Sequence, residues 1–243
     1  MNTLTTSFVR RLRDRDEAAW FELWETFGPV LRAQLTRWGR GRIGVETVRD
    51  LTQETLAALS DSIERYDPKR GARFSTWLLS IAKHALGDEI DRRMALKRGG
   101  GKRPAEFDER FMAGAAVVEA DDAYERNVFH AKVYAGIRRV ESEADFVQFS
   151  VYRLRVFDGV AGKDVAGQLG VSEPTVSRYL QKVRQLLRHR TAEVIATYSF
   201  TPEEEAEAEQ AGLGGGDDMF DEALAEIYHE QAKLVQEDES ADF

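Results

Sequence analysis

A chain of 243 residues is long enough for one large domain or two small ones. It contains no Cys, which removes disulfide frameworks, Cys-based zinc sites and thiol nucleophiles, and no apolar run approaches the roughly 18 residues of a membrane span. The net charge of −9 is unevenly spread: from residue 200 onward fifteen Asp and Glu face a single Lys, so the residues before it are mildly basic at +5.

The N-terminus, "MNTLTTSFVRRLRDRDEAAW", lacks the apolar core of a signal peptide, and a cytoplasmic protein is expected. Apolar residues then recur mostly at helical spacing, which predicts an all-α chain. The first helix spans about residues 16–38, with Trp20, Leu23, Trp24, Phe27 and Leu31 on one stripe. The second covers residues 45–63, its apolar arc formed by Val45, Val48, Leu56, Leu59 and Ile63. The loop "ERYDPKRGAR" follows, punctuated by Pro and Gly. A third helix starts near Ser75, read as its N-cap, and continues to about Arg93. Next, "LKRGGGKRPAEFDE" reads as a mobile basic linker. Its "GGGK" lacks the spacing and the Lys-Ser/Thr pair of a phosphate loop, and it follows a helix instead of a strand.

Helical spacing resumes at residue 121 and leads into "GKDVAGQLGVSEPTVSRYLQKVRQLLRHR", residues 162–190: a helix, a Gly-marked turn and a second helix. Val176, Leu180, Val183 and Leu187 fall in one narrow arc, placed to pack on Val165 and Leu169 across Gly170. The opposite face presents Ser177, Arg178, Gln181, Arg184, Gln185 and Arg188, with Lys182 at its margin. Such side chains can hydrogen-bond base edges and neutralise phosphates. A solvated Lys/Arg face on an ordinary helical hairpin has the same pattern, and this segment alone leaves both readings open.

The first hundred residues add specificity. "RDLTQETLAAL" and "YDPKRGARFSTWLLSIAKHALGDEIDRR" resemble region 2 of bacterial sigma-70 family factors of the extracytoplasmic-function (ECF) type, in the family's order and spacing. Residues 162–190 resemble region 4 of the same family, and the two matches cover about residues 15–95 and 125–190. The resemblance implies two helical domains: residues 1–95 as region 2, and residues 121–197 as region 4 with its helix-turn-helix. A flexible linker, residues 96–120, joins them, and an acidic helical extension, residues 198–243, follows. It also implies a non-enzymatic transcription initiation factor whose partners are core RNA polymerase and promoter DNA.

Site residues follow from the same resemblance. Asp50, Gln53 and Glu54 match the segment that docks on the largest polymerase subunit. Tyr66, Lys69 and Arg73 lie in the stretch that matches the loop receiving a flipped base of the −10 element, a step whose unstacking cost a fitted pocket must offset. Lys83, His84, Asp88 and Arg92 match the DNA-facing stripe of the next helix. Thr175, Ser177, Arg178, Gln181, Lys182 and Arg184 match the helix that reads the −35 element. Trp77 is a packing residue in the family and is assigned to the core. His84, His130, His189 and His229 show no metal-ligand spacing, so neither metal nor other cofactor is expected.

The chain departs from the family in two places. Where many members read Asp-Ala-Glu-Asp, it has Thr47, Val48, Arg49 and Asp50, so two acids are missing from the docking surface. Thr47 shares a helical face with Asp50 and Glu54, and phosphorylation there would restore negative charge near a helix N-terminus. A Ser/Thr kinase or other regulator is therefore an expected partner, with Thr52 and Thr55 as alternative acceptors; Thr52 lies within the apolar arc. Ser177 stands where the family often has Arg, so the −35 preference does not carry over. The competing function is a stand-alone helix-turn-helix regulator that binds duplex DNA by itself. An enzyme acting on nucleic acid would need a carboxylate cluster or an activated nucleophile, and the pattern offers neither.

In the extension, Thr201 and Pro202 followed by acids read as a helix start. "AGLGGGDD" at residues 211–218 is a second break, after which Phe220, Leu224, Ile227 and Tyr228 share one helical face. Such a helix needs an apolar partner to be stable. The extension is expected to fold back on region 2 or region 4 and to compete with DNA or polymerase.

Overall fold

The computed structural model describes residues 3–40, 42–66, 73–97 and 122–240, among which all regular structure is helical. Of the expected linker, residues 96 and 97 are the last of a helix, while residues 98–120, like Lys69, lie outside the described residues. The chain divides into two compact units, the first built mainly from residues 6–128 and the second mainly from residues 129–236.

The first unit contains most of α1 (Thr3–Arg13), α2 (Glu17–Gly39), α3 (Val45–Ser62) with a 3-10 turn at Ile63–Arg65, and α4 (Phe74–Lys97). Asp16 caps α2 by accepting from the Ala19 N–H, as its position before the apolar stripe suggests. The Arg11 guanidinium, hydrogen-bonded to the same carboxylate, holds Asp16 below its ordinary value. Leu23, Phe27 and Leu31 of α2 are buried in the unit's core, as are Val48, Leu51 and Leu59 of α3 and Phe74, Leu78 and Leu79 of α4.

Three details differ from the sequence expectation. The helix α1 was not anticipated, although Phe8, Val9 and Leu12 bury one side of it. Ser75 is buried inside the first turn of α4 and does not cap it, since the helix already starts at Phe74. The core face of α3 runs through Leu51, Thr52 and Thr55, while Val45 is exposed. Both threonine hydroxyls donate to carbonyls one turn back, of Val48 and Leu51, which satisfies them without water.

The second unit is assembled from most of α5 (Asp122–Glu143), from α6 (Phe146–Tyr152) continuing into a π turn at Arg153–Phe157, and from α7 (Gly162–Leu169) and α8 (Glu173–Thr197). The turn between α7 and α8 uses Gly170 at φ +65°, where a Cβ would be strained. Ser172 caps α8 by accepting from the Thr175 N–H, and Pro174 fits its first turn. A Cβ on Gly136 would lie 2.8 Å from the Thr191 Cα, so this glycine permits the close crossing of α5 and α8. The single apolar arc expected on α8 serves two clusters. Val176 packs with Val151, Val165 and Ala166, whereas Val183 and Leu187 join Phe129, Val133, Ile137 and Phe149.

The acidic extension is built into this unit. Its helices are α9 (Pro202–Gln210) and α10 (Asp217–Ser240). A capping box of Thr201 and Glu204 starts α9. Leu213, Phe220, Leu224 and Ile227 belong to the larger cluster, and Tyr228 stacks on Phe157 with ring centroids 4.1 Å apart. The apolar partner that the amphipathic face requires is thus the core of the second unit. At the root of the extension, the Lys132 ammonium donates to Glu204 Oε1 at 2.8 Å, both side chains 1% exposed. The second carboxylate oxygen accepts from the Phe200 and Thr201 N–H groups, so the buried charge pair is well satisfied.

Candidate functional site

On α3 the side chains of Asp50, Gln53 and Glu54 are exposed, on the face opposite Val48, Leu51 and Leu59. They form the polar surface that the spacing predicted. Beside it, at the start of the same helix, lies a polar hub that sequence reasoning missed. Glu89 of α4, 9% exposed, accepts from Arg92 at 2.7 Å and from Arg93 at 2.5 Å. Burial alone would raise its pKa, but the two guanidiniums outweigh it and hold Glu89 below the ordinary Glu value. Arg93 also donates to Thr47 Oγ1 at 2.5 Å and to the Arg42 carbonyl. Thr47 is half-buried, whereas Thr52 and Thr55 are completely buried. The last two are corrected as kinase acceptors, because an enzyme cannot reach them in the folded unit.

Of the residues expected at the −10 loop, Tyr66 and Arg73 are arranged differently from expectation. Tyr66 is 6% exposed, its ring stacked on Trp77 at 4.7 Å and edge-on to Phe74 at 5.5 Å. This conformation gives Tyr66 a packing role in place of the base-facing one, and it gives Trp77 the packing role expected of it. Arg73 donates to Glu125 at 2.9 Å, the carboxylate that the Ser75 and Thr76 hydroxyls also approach, so its guanidinium is committed within the unit. Along α4, Lys83 and Arg92 are exposed. His84 and Asp88 are partly buried and face each other at 3.5 Å. Lys83 Nζ stands 6.0 Å from the Trp38 ring centroid, within reach of a cation–π contact.

On α8 the face expected to meet DNA is open where Ser177, Arg178, Gln181 and Lys182 stand. Thr175 is half-exposed, with its hydroxyl 2.8 Å from that of Ser172. Arg184 is the exception and is corrected as a residue open for reading bases. Its side chain is 11% exposed, and it donates to both oxygens of Asp221, at 3.0 and 2.7 Å, and to Asp217 at 2.9 Å. The hydrogen bond to Asp221 raises the Arg184 pKa still further. Tyr152 donates to the same Asp221 at 2.7 Å, and burial, then that bond, push the phenol pKa upward. Arg184 and Arg188 are spaced i,i+4, as are Asp217 and Asp221, but that spacing alone does not say that the two helices meet.

Among the described residues no group of three or more His, Asp or Glu could hold a metal ion, and no helix is long and apolar enough to cross a membrane. Residues 23–95 match the family model of sigma-70 region 2. The match covers all of α3, α2 from Leu23 onward and α4 up to residue 95. No curated protein matches the chain.

Proposed function

We propose that the chain is an alternative sigma factor of the ECF type that binds core RNA polymerase and directs it to promoters by reading −10 and −35 elements. It is not itself an enzyme. The observation that carries this reading is the pairing, in one chain, of a sigma-70 region 2 match with a downstream helix-turn-helix. The reading helix of that motif leaves Ser177, Arg178, Gln181 and Lys182 open to solvent. Asp50, Gln53 and Glu54 dock on polymerase. Lys83, His84, Asp88 and Arg92 line the −10 side, joined by Lys69. The exposed residues of α8 enter the major groove. Thr47 is the regulated position: its hydroxyl already faces Arg93, so a phosphate there would be held by a guanidinium at a helix N-terminus while adding charge beside Asp50.

Gel shift on promoter fragments with and without core polymerase tests the proposal. A sigma factor shifts them only as holoenzyme, whereas a stand-alone regulator shifts them by itself.

A further inference from the structure

The residues Ser177, Gln181, Arg184 and Arg188 follow i, i+4, i+7, i+11 spacing, one continuous row along α8. Its lower half, Ser177 and Gln181, is exposed, while its upper half carries the two cations. Those cations are met by carboxylates from the first two turns of α10. Asp221 grips Arg184 through both oxygens, and Asp217 bridges the pair, 2.9 Å from Arg184 and 3.2 Å from Arg188. The Arg188 guanidinium also lies over the Phe220 ring, 4.1 Å from its centroid. The bidentate grip on Arg184 is the geometry in which a guanidinium takes a phosphate.

We propose that Asp217 and Asp221 form an acid clasp that occupies Arg184 and Arg188 in place of nucleic-acid phosphates, and that duplex DNA on the reading helix displaces it. The inference rests on α8 being the DNA-reading helix. The body of α10 need not leave: Phe220, Leu224 and Ile227, each at most 3% exposed, keep it seated, and only the ion-pair ladder exchanges. Exchange begins at Arg188, because Asp217 is 60% exposed while Asp221 is 15% exposed and further held by Tyr152. With the clasp closed the extension lowers DNA affinity without covering Ser177, Arg178, Gln181 or Lys182. The gate expected from sequence therefore acts on charge and leaves the base-reading face uncovered.

The test is fluorescence anisotropy of a random-sequence duplex with the full-length protein across a salt series. Asp217→Asn/Asp221→Asn is compared with the wild type and with Asp218→Asn/Glu222→Gln, which changes the net charge equally at exposed positions of the same helix. The clasp predicts at least fivefold tighter binding for the first variant, with a log K against log salt slope steeper by about 1.8, the value for two added phosphate contacts. It predicts little gain for the second, and loss of the gain when Arg184→Ala/Arg188→Ala is added. Hydrogen exchange across residues 217–231 verifies that α10 stays seated. If it loosens, Arg184→Lys/Arg188→Lys, which breaks the bidentate grip but keeps both charges, must give the same gain. Equal gains from both acid pairs, or no gain from the first, would overturn the clasp. Failure of the DNA reading is distinguishable: the gain would then survive Arg178→Ala/Lys182→Ala in the Asn background.

Discussion

Replacing Lys132 by Met measures how far the acidic extension is part of the second unit's fold. The substitution leaves the Glu204 carboxylate, 1% exposed, without its counter-ion and with only the Phe200 and Thr201 N–H groups as partners. Removing one side of a buried ion pair costs about 3–5 kcal/mol. The two remaining N–H donors place this site toward the lower end, about 3 kcal/mol. That is a large part of the roughly 5–15 kcal/mol by which a domain is stable. With a urea slope of about 2 kcal/mol/M, the midpoint falls by about 1.5 M. The double variant Lys132→Met/Glu204→Gln should recover to within about 1 kcal/mol of wild type, because the Gln carbonyl still accepts from both N–H groups and no charge is buried. All four Trp residues, at 20, 24, 38 and 77, lie in the first unit, so urea-dependent hydrogen exchange across residues 129–210 is the suitable probe. A Lys132→Met protein within about 0.5 kcal/mol of wild type, or additive single and double effects, would refute the buried pair as the root of the extension.

Four further outcomes are expected. Asp50→Lys/Glu54→Lys alters exposed side chains, so stability should stay within about 0.5 kcal/mol, while affinity for core polymerase falls at least tenfold in pull-down. Arg178→Ala should weaken promoter-directed transcription by the equivalent of about 1–3 kcal/mol, the worth of one good base contact, with polymerase binding unchanged. Thr47→Glu should recover more polymerase than Thr47→Ala, and equal recovery would remove Thr47 as a regulated position. Glu89 has a depressed pKa, so its stabilising effect is present above the ordinary value of 4.5 and is lost as pH falls through the folded value. Glu89→Gln should therefore lower stability at neutral pH and flatten the acid limb of the first unit's unfolding, followed by Trp fluorescence.

Much of the fold was legible because amphipathic periodicity and capping chemistry agree with the packing. The boundaries of α2, the Gly170 turn and the Thr201 start all follow from local rules that tertiary structure leaves unchanged. The helix α1 was hidden because "TLTTSFVRRLR" mixes three threonines with three arginines, so only Phe8, Val9 and Leu12 mark its short buried side. Thr52 falls in the apolar arc as its spacing indicates, whereas Thr55 read as polar, yet bonding to its own helix lets it line the core as well. Exposure at the candidate site was legible: Asp50, Gln53, Glu54, Ser177, Arg178, Gln181 and Lys182 all stand open. It was not legible where a distant carboxylate claims a cation, as Glu125 claims Arg73 and Asp221 claims Arg184. Spacing along one helix carries no information about which other helix will face it.

The most direct test of the central claim is run-off transcription on genomic fragments selected by the reconstituted holoenzyme. Core polymerase plus the full-length chain should initiate at discrete sites. Core alone, and core plus a chain carrying Asp50→Ala, Gln53→Ala and Glu54→Ala, should not. Discrete initiation that is unaffected by the triple substitution, or tight binding of the same fragments by the chain alone with no stimulation by core polymerase, would contradict the account.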